Sequence, residues 1–181
     1  MEQFVMEMLQ SSDEEGLLDE IMTRYGDDVL HLVFSYVHNQ AVAEDLTQEI
    51  FVKCYKSLST YKQGAKLKTW LWRIAINHCK DYLKSWYHRK VILTEKTMDL
   101  SEISSQNIEQ TILNKEEEGT LAHAVLKLPL KYREVTYLYY FEELSIKEIE
   151  SILGVKQNTI KTRLKRAKEL LKKKLKEESN G

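Results

Sequence analysis

The sequence predicts an all-α fold: two small helical domains joined by a flexible linker, the second a helix-turn-helix domain. Three observations carry this. The 181 residues include only six glycines and one proline, too few for a turn-rich β fold, while runs of Leu, Ile, Glu and Lys favour helix. Apolar residues recur at helical spacing in several segments, and no alternating run is long enough to predict a strand. From Thr94 to Gln110 the periodicity is lost and the composition turns polar, which marks a linker. The boundaries read as 1–92 for the N-terminal domain, 93–111 for the linker and 112–181 for the C-terminal domain.

Ser12-Asp13 opens the first helical pattern, carried by Leu17, Leu18, Ile21 and Met22. Gly26 is expected to interrupt it, with a second helix from about Asp27 to His38 and a break at Asn39-Gln40. A third helix covers roughly 41–59. There Val42, Leu46, Ile50 and Cys54 step by four, while Glu44, Asp45, Gln48 and Glu49 gather on the polar side. That acidic cluster reads as a solvated or partner-facing patch before it reads as a metal site. A loop over 60–67 holds Gly64 and lysines, and a long helix follows over 68–90. In the second lobe a helix from near Ile112 passes Leu121, Val125 and Leu128. Pro129 suits the first turn of the next, Leu130 to Phe141.

The C-terminal segment is the most informative. A short amphipathic helix carries Ile146, Ile149 and Leu153, a turn falls at Gly154, and a longer basic helix follows. Gly154 stands where a chain between crossed helices needs a residue that tolerates positive φ. Beyond it Ile160, Leu164, Ala167 and Leu171 form one stripe. At about 100° per residue, Asn158, Lys161, Thr162, Lys165 and Arg166 fall on the opposite side. Amide, hydroxyl and cationic groups on one helix face suit base edges and phosphates in a major groove. A solvated lysine-rich helix end accounts for Lys172 to Lys174. It does not account for a short helix, glycine turn and long helix in register.

The helix over 68–90 sorts in the same way. Leu71, Ala75, Cys79, Tyr82 and Trp86 make an apolar face; Thr69, Trp70, Arg73, Asn77, Lys80 and Lys84 lie opposite. Cations hold phosphates, Asn reads base edges and an exposed indole stacks on an unpaired base. Trp72 reads as core, whereas Trp70 stays open between packing and stacking. Tyr61, Lys62, Gly64 and Lys66 in the preceding loop extend this surface toward single-stranded or opening DNA.

Charge along the chain supports two contacts with one polyanion. Net charge is −9 over 1–60 (3 basic, 12 acidic), +6 over 61–100 (9, 3), −5 over 101–150 (5, 10) and +7 over 151–181 (10, 3). The acidic blocks suit a protein partner or a face kept off DNA. Cys54 and Cys79 predict reduced core thiols. His31 and His38 share a face among Val, Phe and Tyr, which favours packing over metal binding. His78, Cys79 and Asp81 point in different directions on one helix, and glycines form no phosphate loop. No catalytic site, metal or cofactor is therefore expected. The opening MEQFVMEMLQ lacks a basic leader, and no apolar run is long enough to span a bilayer, so a soluble cytoplasmic protein is expected.

Four segments in this order resemble the bacterial sigma factors of RNA polymerase, specifically the extracytoplasmic-function (ECF) group. They are AEDLTQEIFVKCY (43–55), KTWLWRIAINHCKDYLK (68–84), LPLKYREVTYLYYFEELSIKEIESILGV (128–155) and TIKTRLKRAKELL (159–171). The resemblance covers about 15–90 and 112–176. It implies that Glu44, Asp45, Leu46, Gln48, Glu49 and Phe51 dock on core RNA polymerase, at the clamp helices of β′, with further contact to β. It implies −10 DNA binding by Tyr61, Lys62, Lys66, Lys68, Trp70, Arg73, Asn77 and Lys80. For the −35 element it implies Gln157, Asn158, Lys161, Thr162, Arg163, Lys165 and Arg166, with Arg163 at the edge of the buried side. Partners are then core polymerase, promoter DNA and an anti-sigma factor, which can be membrane-anchored. The function implied is to direct core polymerase to promoters and nucleate −10 melting, without catalysis by this chain.

Two departures from the family pattern stand out. Trp72 replaces a common tyrosine, and Lys156-Gln157-Asn158 replaces a turn that usually contains proline and glycine; both are expected to bear on which promoter is read. The alternative is a helix-turn-helix transcriptional regulator whose N-terminal domain senses a ligand or dimerises. The Trp- and Lys-bearing helix over 68–90 opposes it, because a sensor lobe needs no second nucleic-acid face.

Overall fold

The computed structural model describes residues 13–61, 65–94 and 120–179, and every regular element among them is helical. The N-terminal lobe comprises α1 (Glu14–Val37), α2 (Gln40–Ser57), a 3₁₀ turn (Leu58–Thr60) and α3 (Leu67–Thr94). The C-terminal lobe comprises α4 (Thr120–Leu126), α5 (Leu130–Thr136), a π-helical turn (Tyr137–Phe141), α6 (Ile146–Leu153) and α7 (Gln157–Ser179). Apart from 93–94, which end α3, the expected linker over 93–111 lies outside the described residues, as does the helix start near Ile112.

Gly26 does not break the first helix. Asp13 caps α1, its carboxylate accepting from the Gly16 N–H at 2.9 Å, and the helix then runs unbroken to Val37. Leu17, Ile21, Val29, Leu32 and Val33 are buried on both sides of the glycine, so one continuous stripe outweighs its poor propensity. A Cβ at this position meets nothing within 4 Å. Gly26→Ala should therefore raise the unfolding free energy by about 0.5–1 kcal/mol. Urea denaturation should show a higher midpoint at unchanged slope.

The joint between α1 and α2 uses two residues. His38 ends α1 in the left-handed region (φ 52°), its N–H donating to the Phe34 carbonyl at 2.9 Å. Asn39 then caps α2 by accepting from the Val42 N–H at 3.0 Å. Placing a C-cap directly beside an N-cap folds α2 back along α1. His38 is buried as expected of a packed histidine, whereas His31 is exposed.

Between lobes the core is continuous. Leu71, Trp72, Ala75, Ile76 and Cys79 of α3 join Val135, Leu138, Leu144, Ile149, Ile152 and Ile160 of the C-terminal lobe in one cluster. α3 is therefore covered on two sides, by α1 and α2 and by α6. That is why Thr69, expected on an open polar face, is buried. Cys54 and Cys79 are free and buried, and burial pushes both thiols up to about 12.

Candidate nucleic-acid interface

The helix-turn-helix forms as its sequence requires. Ser145 caps α6 by accepting from the Glu148 N–H at 3.2 Å, while the Glu148 carboxylate accepts from the Ser145 N–H at 2.9 Å. This reciprocal pair fixes where the helix starts. The Ser145 hydroxyl and N–H, and then Lys66, hold the Glu148 carboxyl down at about 2. Gly154 ends α6 at φ 66°, the left-handed cap that glycine adopts without strain. Ile160 and Ala167 anchor α7 in the core.

Asn158, Lys161, Thr162, Lys165 and Arg166 are exposed on α7, opposite that anchor. The Thr162 hydroxyl donates to the Asn158 carbonyl at 2.9 Å, and Arg166 pairs with Glu169 at 2.8 Å. Gln157 donates to Glu150 at 2.7 Å, tying the start of α7 to α6. Arg163 turns inward and reaches Glu134 at 3.4 Å. Its half-buried guanidinium thus braces α7 on α5 while its neighbours face solvent.

The residues expected to meet the −10 element line one side of α3 and the turn before it. Tyr61 donates to the Ala65 carbonyl at 2.7 Å, and its ring packs on Trp70 with centroids 5.1 Å apart. Trp70 is partly buried, so it contributes to packing and keeps an accessible edge. Asn77 is exposed. Lys66, Lys68 and Lys80 lie 3.0 Å from Glu148, Glu142 and Glu134 respectively, and Arg73 donates to the Ser151 hydroxyl at 2.9 Å. Lys62 and Gly64 fall outside the described residues.

On α2, Glu44, Asp45, Gln48 and Glu49 form an open polar face. Gln40 donates to Glu44 at 2.7 Å, and His78 of α3 lies 2.6 Å from Glu49. Leu46 and Phe51 are 4% and 5% exposed, so the side chains presented here are the polar four, and the two apolar ones seat the helix. Trp72 is fully buried. Its departure from the family tyrosine therefore lies in the packed core and not on the exposed face of α3.

Sequence reasoning missed the acids of the C-terminal lobe. Glu134 accepts from the Tyr36 hydroxyl at 3.0 Å and lies beside Lys80 and Arg163. Burial raises the Glu142 carboxyl, and Lys68 partly offsets it. Arg133 is buried and donates to the Leu126 carbonyl at 2.7 Å, closing the end of α4. In sequence these are ordinary charges on mixed helices; only tertiary contact sets them apart. Among the described residues no group of His, Cys, Asp and Glu could hold a metal ion, and no helix is long and apolar enough to cross a membrane.

Two crossed helices on a glycine cap, behind a three-helix lobe with a cationic face, define a DNA-reading protein of two lobes. The family model for sigma-70 region 2 matches residues 21–88, and that for sigma-70 region 4 matches residues 119–171. Similar curated proteins include the ECF RNA polymerase sigma factor SigW of Bacillus subtilis, 32% identical over 95% of each chain. SigV of the same organism is 31% identical over 91% of this chain and 95% of its own. Among solved structures, the sigma factor RpoE of Bartonella quintana, crystallised with the anti-sigma factor NepR, shares the fold. It aligns at TM-score 0.69 and 21% identity over 87% of this chain and 96% of that one. The chain belongs to the sigma-70 family, in its ECF group. It is a sigma factor that directs RNA polymerase to promoters, and the regulator with a sensor domain is not favoured. Sigma factors are non-catalytic initiation factors.

Proposed function

We propose that the exposed polar face of α2 docks on core RNA polymerase, that α7 reads the −35 element, and that α3 with its preceding turn contacts and helps open the −10 element. The open row Asn158, Lys161, Thr162, Lys165 and Arg166, set behind the Gly154 cap, is the observation that carries this reading. Lys161 and Lys165 supply phosphate or guanine contacts and Asn158 an amide for base edges. The −10 role rests on Asn77, Trp70 and the cations Lys66, Lys68, Arg73 and Lys80. Glu44, Asp45, Gln48 and Glu49 give α2 its charge, with the clamp helices of β′ as the partner and β as a further contact. The chain performs no reaction itself and works in the cytoplasm. An anti-sigma factor is a fitting further partner, since the similar RpoE was crystallised with one.

Holoenzyme assembly and promoter binding separate these roles. Asp45→Lys with Glu49→Lys should weaken assembly with core polymerase about tenfold, roughly 1.4 kcal/mol. Asp45→Lys alone, which leaves the Glu49–His78 contact in place, should weaken it in the same direction without changing the thermal midpoint. Lys161→Ala with Lys165→Ala should assemble normally and bind duplex promoters about tenfold more weakly. Wild-type assembly by the first variant, or wild-type promoter binding by the second, overturns the corresponding assignment.

A further inference from the structure

The lysines of α7 do not stop where the proposed −35 reading ends. Lys161, Lys165, Lys168, Lys172 and Lys176 are all exposed. At about 100° per residue they fall within about 80° of arc, in one row along the helix. From Lys161 to Lys176 that row runs about 22 Å, at about 1.5 Å per residue. The attraction of a helix C-terminus for cations fades within its last turn, and Lys168 and Lys172 lie about three and two turns before Ser179. Nearby charges take other directions. Arg166 pairs with Glu169 at 2.8 Å, beside the row. Lys174 turns to the far side and donates to the Lys127 carbonyl at 3.1 Å, just past the end of α4. Ile160 and Ala167 are buried on that far side, so α7 is held against its lobe as far as Lys174. The row is therefore a fixed face of a packed helix.

A major groove is about 12 Å wide. A row almost twice that length, all facing one way, leaves the groove that receives its first lysines and passes over the backbone beside it. There a lysine is a point charge for phosphate. We propose that Lys168, Lys172 and Lys176 form a second DNA site on α7, binding phosphates of the duplex that flanks the −35 element without regard to sequence. This rests on the −35 reading of α7, which sets the row against DNA. The first two lysines then serve recognition and the last three serve grip. Each phosphate neutralised releases condensed counterions and steepens the fall of log K with log salt by about 0.9.

Lys168→Gln with Lys172→Gln and Lys176→Gln removes three charges and keeps good helix formers. Assembled with core polymerase, this variant should bind a fluorescein-labelled promoter duplex about tenfold more weakly than wild type at low salt. Its salt slope should be shallower by about 2–3. A duplex with a scrambled −35 element should lose affinity by the same factor, because phosphates carry no sequence. Lys161→Ala with Lys165→Ala should instead bind the intact and scrambled duplexes more nearly alike. Ethylation interference places the contacts. With wild type, about two or three ethylated phosphates outside the −35 element should block binding, and with the Gln variant those positions should fall silent. An unchanged salt slope, or an unchanged interference pattern, overturns the second site and leaves the −35 reading standing. A weakening confined to the intact duplex also overturns it, and moves these lysines into base recognition. If Lys161→Ala with Lys165→Ala discriminates the two duplexes as wild type does, the −35 reading fails and the second site falls with it.

Discussion

Trp72→Ala should lower the unfolding free energy by about 3–5 kcal/mol, the range for removing a large aromatic from a closed core. Trp72 has no solvent exposure and lies midway along the buried face of α3. Its ring meets Tyr25 of α1 edge-on, with centroids 5.7 Å apart, and the Lys68 ammonium lies 5.0 Å above it. Truncation removes both contacts and leaves a cavity between α1 and α3. That cost is a large fraction of the roughly 5–15 kcal/mol that holds a domain together. The indole Nε1 finds no hydrogen-bond partner among the described residues. Trp72→Phe therefore gives up area but also sheds an unmet donor, and should cost only about 1–2 kcal/mol. Urea unfolding followed by circular dichroism gives both values. An alanine cost no larger than the phenylalanine cost would mean that the core collapses onto the site.

How much of this was legible depends on which interaction sets each feature. The register of α7 followed from the spacing of Ile160, Leu164 and Ala167, because a helix that packs on one side must repeat with its own period. Gly154 was legible for a similar reason: few residues accept its backbone angles at low cost. Gly26 misled, since local propensity there is overruled by burial on either side. Thr69 was assigned to an open face because α3 was read as an isolated helix, and the lobe packed against it is not visible in its periodicity. Glu134, Glu142 and Arg133 carry no local signal at all. The two glutamates become distinctive only through residues far away in sequence, Tyr36 and Lys80 for Glu134 and Lys68 for Glu142, and Arg133 through the carbonyl it meets at the end of α4. Of the candidate site, the exposed row on α7 and the acidic row on α2 were readable from the wheel. The engagement of the α3 cations by C-terminal acids was not.

Acid should destabilise the protein through His38. Burial, and then the Arg133 guanidinium of the C-terminal lobe, pull this imidazole down from an ordinary value near 6.5 to about 3. Because the folded value is depressed, the two states bind protons alike above pH 6.5, and His38 then costs nothing. As pH falls from 6.5 toward 3, the unfolded chain takes up a proton that the folded chain refuses. Stability is lost at a limiting slope of about 1.4 kcal/mol per pH unit. Between pH 7 and pH 5 that integrates to about 2 kcal/mol. His38→Asn is the suitable comparison, because asparagine tolerates the left-handed conformation at this position (φ 52°) and does not titrate. Subtracting its unfolding free energy from that of wild type at each pH cancels the carboxylates common to both. The difference should shift by about 2 kcal/mol against wild type between pH 7 and pH 5. A difference that stays constant over this window would mean that His38 takes up its proton in the folded state, which requires the contact with the C-terminal lobe to open.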